Sequence, residues 1–138
     1  MIRLVLDTNI LVSANLNGER REALVVSLGV NEKVQLCISE PVFKEYKQVL
    51  SYPRLKFAPH EIKRFLEFLR SASVLAAPTH AVSASRDEPD NRFLECAEAV
   101  GADFLVTGNK RNFPKRWKRT EVVNARELLG RIGSSFLN

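Results

Sequence analysis

The sequence predicts an α/β domain, a three-layer α/β/α sandwich around a mainly parallel central sheet. Three observations carry that prediction. Short, nearly unbroken apolar runs recur at Ile2–Leu6 (IRLVL), Val34–Ile38 (VQLCI) and 103–107 (DFLVT), the pattern of strands buried on both faces. Amphipathic stretches with helical spacing fill the intervals between them. Strand and helix alternate along the whole chain, and parallel neighbours need a crossover that a helix supplies.

Each element has its own signal. IRLVL is the first strand, and residues 9–31 read as helical with a break at Asn17-Gly18. VQLCI follows, and Ser39 is placed to cap a helix that runs to Leu50, with Pro41 tolerated in its first turn. In 59–72, Ile62, Phe65, Leu66 and Leu69 fall on one stripe, with Pro59 at the start. Residues 74–76 and 121–123 are weaker strand candidates around a helix over 88–100, which has Pro89 near its start and Gly101 as its stop. The domain is drawn over 1–130. The Gly/Ser-rich end, 131–138, is expected to be a fraying tail that includes Phe136 and Leu137.

A length of 138 residues fits one domain, and 45% hydrophobic with 27% charged residues argues against disorder. No apolar run approaches the roughly 20 residues of a membrane span, and MIRLVLD lacks a signal-peptide layout. Cys37 and Cys96 read as reduced cysteines of a cytoplasmic protein. The chain has no nucleophile elbow, no P-loop and no dinucleotide fingerprint. His60 and His80 are too few for a zinc-type cluster.

The acids are more informative. Open parallel sheets bind ligands at the carboxyl ends of their strands, and Asp7 follows IRLVL directly while Asn109 lies just past DFLVT. On a wheel of about 100° per residue, Asp90 points near Leu94 and Ala97, and Glu45 lies about 40° from Val49. Both acids therefore turn towards the body of the domain. Each has a plainer use: Asp7 as a helix cap, Asp87 and Asp90 as complements to a helix dipole, Glu45 in a surface ion pair. Those uses do not explain why the acids converge. Crowded carboxylates repel, and a divalent cation relieves the repulsion while taking one or two of them directly. Such an ion also acidifies water and neutralises phosphodiester charge. The chemistry suggested is metal-dependent phosphodiester hydrolysis.

LDTNIL at 6–11, SEPVFKEYKQVL at 39–50, RDEPDNRFLECAEAVGADFLVTGNKRNFP at 86–114 and VVNARELL at 122–129 together resemble the PIN-domain family. The likeness is strongest to its toxin branch, similar to VapC toxins. The resemblance implies a PIN-like fold acting as a Mg²⁺- or Mn²⁺-dependent endoribonuclease, the toxin of a toxin–antitoxin pair. It also implies a cognate antitoxin and a homodimer as partners, and the lack of a long apolar run leaves no membrane among them. The family's first acid falls on Asp7, with Thr8 and Asn9 organising the loop, its second on Glu45 and its third on Asp90, while Asp87 supplies a further acid nearby. The fourth acidic position falls on Asn109, a departure that leaves a neutral carbonyl where the family has a charge. One ion held mainly by Asp7 and Asp90 is the consequent expectation, with Thr107 orienting a ligand or water.

Lys110, Arg111, Lys115, Arg116, Lys118 and Arg119 crowd into KRNFPKRWKR without an intervening acid, and exceed the net charge of +5 for the whole chain. Such a run beside an acidic site suits RNA phosphates. Trp117 and Phe113 offer stacking surfaces, although Phe113 reads better as packing. Arg20 and Arg21 are further cations of unassigned position. Two function classes follow: an active ribonuclease, or a catalytically weak PIN domain that binds RNA or protein.

Overall fold

The computed structural model describes residues 1–18 and 20–137. One sheet holds six strands, β1 (Ile2–Leu6), β2 (Val34–Ile38), β3 (Ser73–Leu75), β4 (Phe104–Val106), β5 (Arg116–Trp117) and β6 (Thr120–Val123), in the spatial order β3-β2-β1-β4-β6-β5. Every neighbouring pair is parallel except β5 with β6. The helices are α1 (Thr8–Leu16), α2 (Arg21–Ser27), α3 (Glu40–Leu50), α4 (Pro59–Ala72), α5 (Asn91–Val100) and α6 (Ala125–Leu137). Successive strand side chains point to opposite faces. Leu4, Val5 and Leu6 are all buried, so helices must cover both sides of the sheet. The α/β/α layering expected from the apolar runs is therefore present.

The local signals account for most element ends. Ser39 caps α3, its Oγ accepting from Val42 N at 3.3 Å. Gly101 ends α5 in the left-handed region at φ 61°, which a side chain would strain. The helical stretch expected over 9–31 divides into α1, α2 and a short 3₁₀ turn at Leu28–Val30. Pro89 sits in another 3₁₀ turn, Glu88–Asp90, which leads into α5.

One element is unannounced by the sequence, and one expectation needs correction. The two-residue strand β5 lies within the basic run, where no apolar alternation announces it. It is held as a hairpin to β6, with Lys118 at φ 54° in the turn. The correction concerns the C-terminal end: α6 continues through Gly130 to Leu137, where a tail was drawn from 131. Asn124 and Glu127 exchange reciprocal bonds at its start, Glu127 N to Asn124 Oδ1 at 2.7 Å and Asn124 N to Glu127 Oε1 at 2.9 Å. Ala125, Leu128 and Ile132 then bury one stripe. Capping and burial outweigh the roughly 1 kcal/mol that each helical glycine costs. The packing of Phe136 and Leu137, and Asn138 as a whole, lie outside the described residues.

The order of strands fixes the functional end. The chain leaves β1 for β2 and β3 on one side, then returns to place β4 on the other side of β1. The carboxyl ends of β1 and β4 thus flank a topological switch point, where such sheets open a crevice. Among the described residues, no helix is long and apolar enough to cross a membrane.

Candidate functional site

Asp7 occupies the switch point. It follows β1, its N–H donates to the Val106 carbonyl of β4 at 2.8 Å, and it is only 6% exposed. One carboxylate oxygen accepts from Thr8 N at 2.7 Å. The other accepts from Thr107 Oγ1 at 2.7 Å and Asn9 Nδ2 at 3.2 Å. The same groups lock the neighbouring loop: Gly108 N donates to Asn9 Oδ1 at 2.9 Å, and Asn109 N to Thr107 Oγ1 at 3.0 Å. Asp7 therefore caps α1, the plainer use, and also presents its carboxylate at the crevice. The DTN and TGN motifs form one hydrogen-bonded unit across β1 and β4.

The other acids come from helices packed beside that unit. Tyr46 is buried and its hydroxyl donates to the Leu6 carbonyl, fastening α3 to the end of β1. That contact sets Glu45 one residue earlier, half-buried, where it accepts from the Thr8 hydroxyl. Asp90, at the entry to α5 and 9% exposed, accepts from Asn112 Nδ2 at 3.3 Å. Asp87 is exposed at the rim, joined to the same turn by the bond from Asp90 N to its carbonyl at 3.0 Å. Asn109 is exposed just past β4.

These carboxylates feel one another. Burial, opposed by the Thr107 hydrogen bond and reinforced by the charges of Asp90 and Glu45, pushes Asp7 up to about 7. Burial, with the charges of Asp87 and Glu45, lifts Asp90 to about 6. Among the described residues, none of Asp7, Glu45, Asp87 and Asp90 forms an ion pair. The sheet has gathered acids at its carboxyl end that, among the described residues, no side-chain cation pairs with.

The PIN-domain family matches residues 3–111, from β1 through the turn after β4. The chain belongs to the PIN-domain family. It is also similar to an uncharacterised protein of Methanocaldococcus jannaschii, MJ1680, with 31% identity over 112 residues, 79% of this chain and 72% of that one. PIN domains are generally nucleases and typically use divalent metal ions.

Whether the PIN residues present suit such an ion is a question of donor chemistry. Among the described residues, no three His, Cys, Asp or Glu side chains stand together closely enough to enclose a metal. Mg²⁺ does not require such a cage; it takes one or two carboxylates and keeps several waters. Asp7 and Asp90 provide hard oxygens, mutual repulsion and, among the described residues, no paired cation, so the donor set fits.

Several polar residues that the motif reading did not single out hold this PIN site together. Asn91 is buried, and its Oδ1 accepts from Ala84 N at 3.0 Å and Ser85 N at 2.8 Å. It ties the long connection after β3 to α5. Asn112 bonds Asp90 across the crevice, and Asn124 caps α6. A buried Asn in a first turn or at a loop end is the only sequence signal for these roles. The remaining candidates have structural uses. Cys37 and Cys96 are buried free thiols pushed up to about 11 and about 12 by burial, unsuited to nucleophilic work. His80 meets Glu98 at 2.6 Å at the surface, and His60 is exposed.

The basic run looks different in three dimensions. Lys110 pairs with Glu127 at 2.8 Å, Arg116 with Glu121 at 3.6 Å, Lys118 with Glu98 at 3.8 Å and Arg119 with Asp103 at 2.7 Å. Arg111 and Lys115 form no ion pair among the described residues. The run is acid-free only along the chain; in space, acids before β4 and on α5, β6 and α6 compensate most of it. Phe113 packs into the core, as its plainer reading has it, and Trp117 is half-buried against that core.

Proposed function

We propose that this PIN domain is a Mg²⁺- or Mn²⁺-dependent endoribonuclease that hydrolyses RNA phosphodiester bonds in the cytoplasm, and that it is the toxin of a toxin–antitoxin pair. One observation carries the nuclease reading: two buried carboxylates, Asp7 and Asp90, stand near enough at the carboxyl end of the sheet for the charge of Asp90 to act on Asp7, without an ion-pair partner among the described residues. When bound, a divalent ion supplies positive charge against the phosphodiester and makes water more acidic. Asp7 and Asp90 are the residues that would hold it, with Asn109 offering a neutral oxygen at the rim.

The chain's own groups divide the remaining work. The hydrogen bonds from Thr8 N, Thr107 and Asn9 orient the Asp7 carboxylate before any ligand arrives. Glu45, fixed by the Thr8 hydroxyl, is the carboxylate best placed to orient an attacking water and accept its proton. Asp87 strengthens the field at the mouth of the crevice and is too exposed to be held as firmly. The toxin role, a cognate antitoxin and a homodimer are supported by the joint presence of the DTN, KEY, DNRFLECA and TGN motifs in order.

The test is cleavage of a single-stranded RNA by purified protein with Mg²⁺ or Mn²⁺. Asp7→Asn and Asp90→Asn should each abolish metal-stimulated cleavage while leaving the fold intact. Equal cleavage by native and doubly substituted protein refutes the nuclease assignment. Growth arrest on expression, lost in Asp7→Asn, is the corresponding test of the toxin role.

A further inference from the structure

A cleft of about 420 Å³ opens beside the acids, between α1, α2 and α6. Its inner wall is shared with the site, because Asn9 and Gly108 line it while Asn9 also bonds Asp7. Its outer walls carry Arg21, in the first turn of α2, and Arg126, in the first turn of α6, two helices that pack on each other. Glu22 also lines it, and Ile10 gives it an apolar floor.

Among the described residues, Arg21 and Arg126 share with Arg20, Arg64, Arg86 and Arg111 a side chain without an ion-pair partner, and they are the two of these that line the cleft. Arg70, Arg92, Arg116, Arg119 and Arg131 all pair with acids, whereas Arg21 and Arg126 form no hydrogen bond or ion pair among the described residues. Each stands in a first helical turn, where a cation opposes the helix dipole, so local helix energetics do not explain it. Two unpaired guanidiniums around a cavity of nucleotide-accommodating size are a fork-shaped receptor for phosphate oxygens. The compensated run at 110–119 is correspondingly less available.

We propose that this cleft holds the phosphodiester backbone of the RNA strand beside the bond being cut, with Arg21 and Arg126 as its phosphate contacts. The strand crosses Asp7 at the crevice, passes over Asn9 and Gly108, and leaves along the α2–α6 wall. This rests on the ribonuclease reading above and adds the direction in which the substrate lies. Guanidiniums of this kind meet phosphates rather than base edges, so the cleft sets register rather than base identity.

The test measures binding, so that it does not depend on catalysis. A fluorescent single-stranded oligoribonucleotide is titrated by anisotropy against the Asp7→Asn chain at several salt concentrations, with Arg21→Ala/Arg126→Ala added to that background. Losing two phosphate contacts should weaken binding by about tenfold and flatten the salt slope by about 1.4, at roughly 0.7 per single-strand contact. Arg21→Lys/Arg126→Lys should retain most of the slope. Lys44→Ala/Lys63→Ala, which removes the same charge from the exposed surface of α3 and α4, should leave it unchanged. An arginine double variant that keeps the parental affinity and slope, or loses no more than the lysine control, overturns the proposal. Absence of cleavage by the native chain would refute the nuclease reading alone, because the anisotropy readout is unaffected by it.

Discussion

Replacing Asp7 by Asn should change the stability of the metal-free protein with a sign that depends on pH. In the folded chain the Asp7 carboxyl is raised from 3.8 to about 7, chiefly by burial. It therefore binds more protons folded than unfolded between those values. The stability it contributes is complete below the unfolded value and is lost as pH rises through about 7. A displacement of about three pH units corresponds to about 4 kcal/mol at 1.36 kcal/mol per unit. Asn cannot ionise, so the variant escapes that loss. It also turns an amide nitrogen towards Asn9 Nδ2, a donor facing a donor, and gives up the hydroxyl bond that Thr107 makes to a carboxylate. That costs about 1–3 kcal/mol at every pH. Asp7→Asn should consequently be less stable than native near pH 4 and more stable above pH 7.5. Urea denaturation in chelator across that range measures the difference directly. A difference constant with pH would refute the assignment of Asp7 as a carboxylate whose ionisation the fold disfavours.

Other perturbations probe separate parts of the site. Thr107→Val keeps the β-branched shape of a fully buried side chain but removes the donor to Asp7 and the acceptor for Asn109 N; it should cost about 1–3 kcal/mol by urea denaturation and move the Asp7 carboxyl further upward by NMR titration. Asn109→Asp restores a charge at the rim, and Mn²⁺ should bind it more tightly than native by calorimetry, whereas unchanged affinity would place position 109 outside the metal's reach. Glu127→Ala should cost about 1 kcal/mol, because it removes the α6 capping bond as well as an exposed ion pair, while Lys110→Ala loses the pair alone and should cost less. Gly101→Ala should destabilise by about 1 kcal/mol through the left-handed conformation at φ 61°.

How much of this was legible depends on the range of the interaction concerned. β1, β2, α3 and α4 were readable because burial on both sheet faces and one apolar helix stripe leave local periodicities. The placement of Asp7, Glu45 and Asp90 towards the carboxyl end of the sheet was readable because strand ends and helix faces fix where a side chain emerges. The compensation of Lys110, Arg116, Lys118 and Arg119 was not, since each partner acid lies on another element. β5 escaped for the same reason: two residues in a charged run become a strand only when β6 is present to pair with them. The C-terminal end was misjudged because composition registers Gly130 and Gly133 as breakers. It gives less weight to the Asn124–Glu127 cap and the buried stripe that hold α6 straight through them.

The hydrogen bond between Thr107 and Asp7 spans a separation of 100 residues, and β4 slots between β1 and β6 although it is among the later strands to be made. During synthesis, therefore, β1 and β2 can pair early, but the carboxylate at the end of β1 stays without its opposite wall until the fourth strand has emerged. A ribosome must translate past Thr107 before both walls of the site exist. The topology thus builds a delay between starting the chain and completing its acidic site, independent of any other molecule.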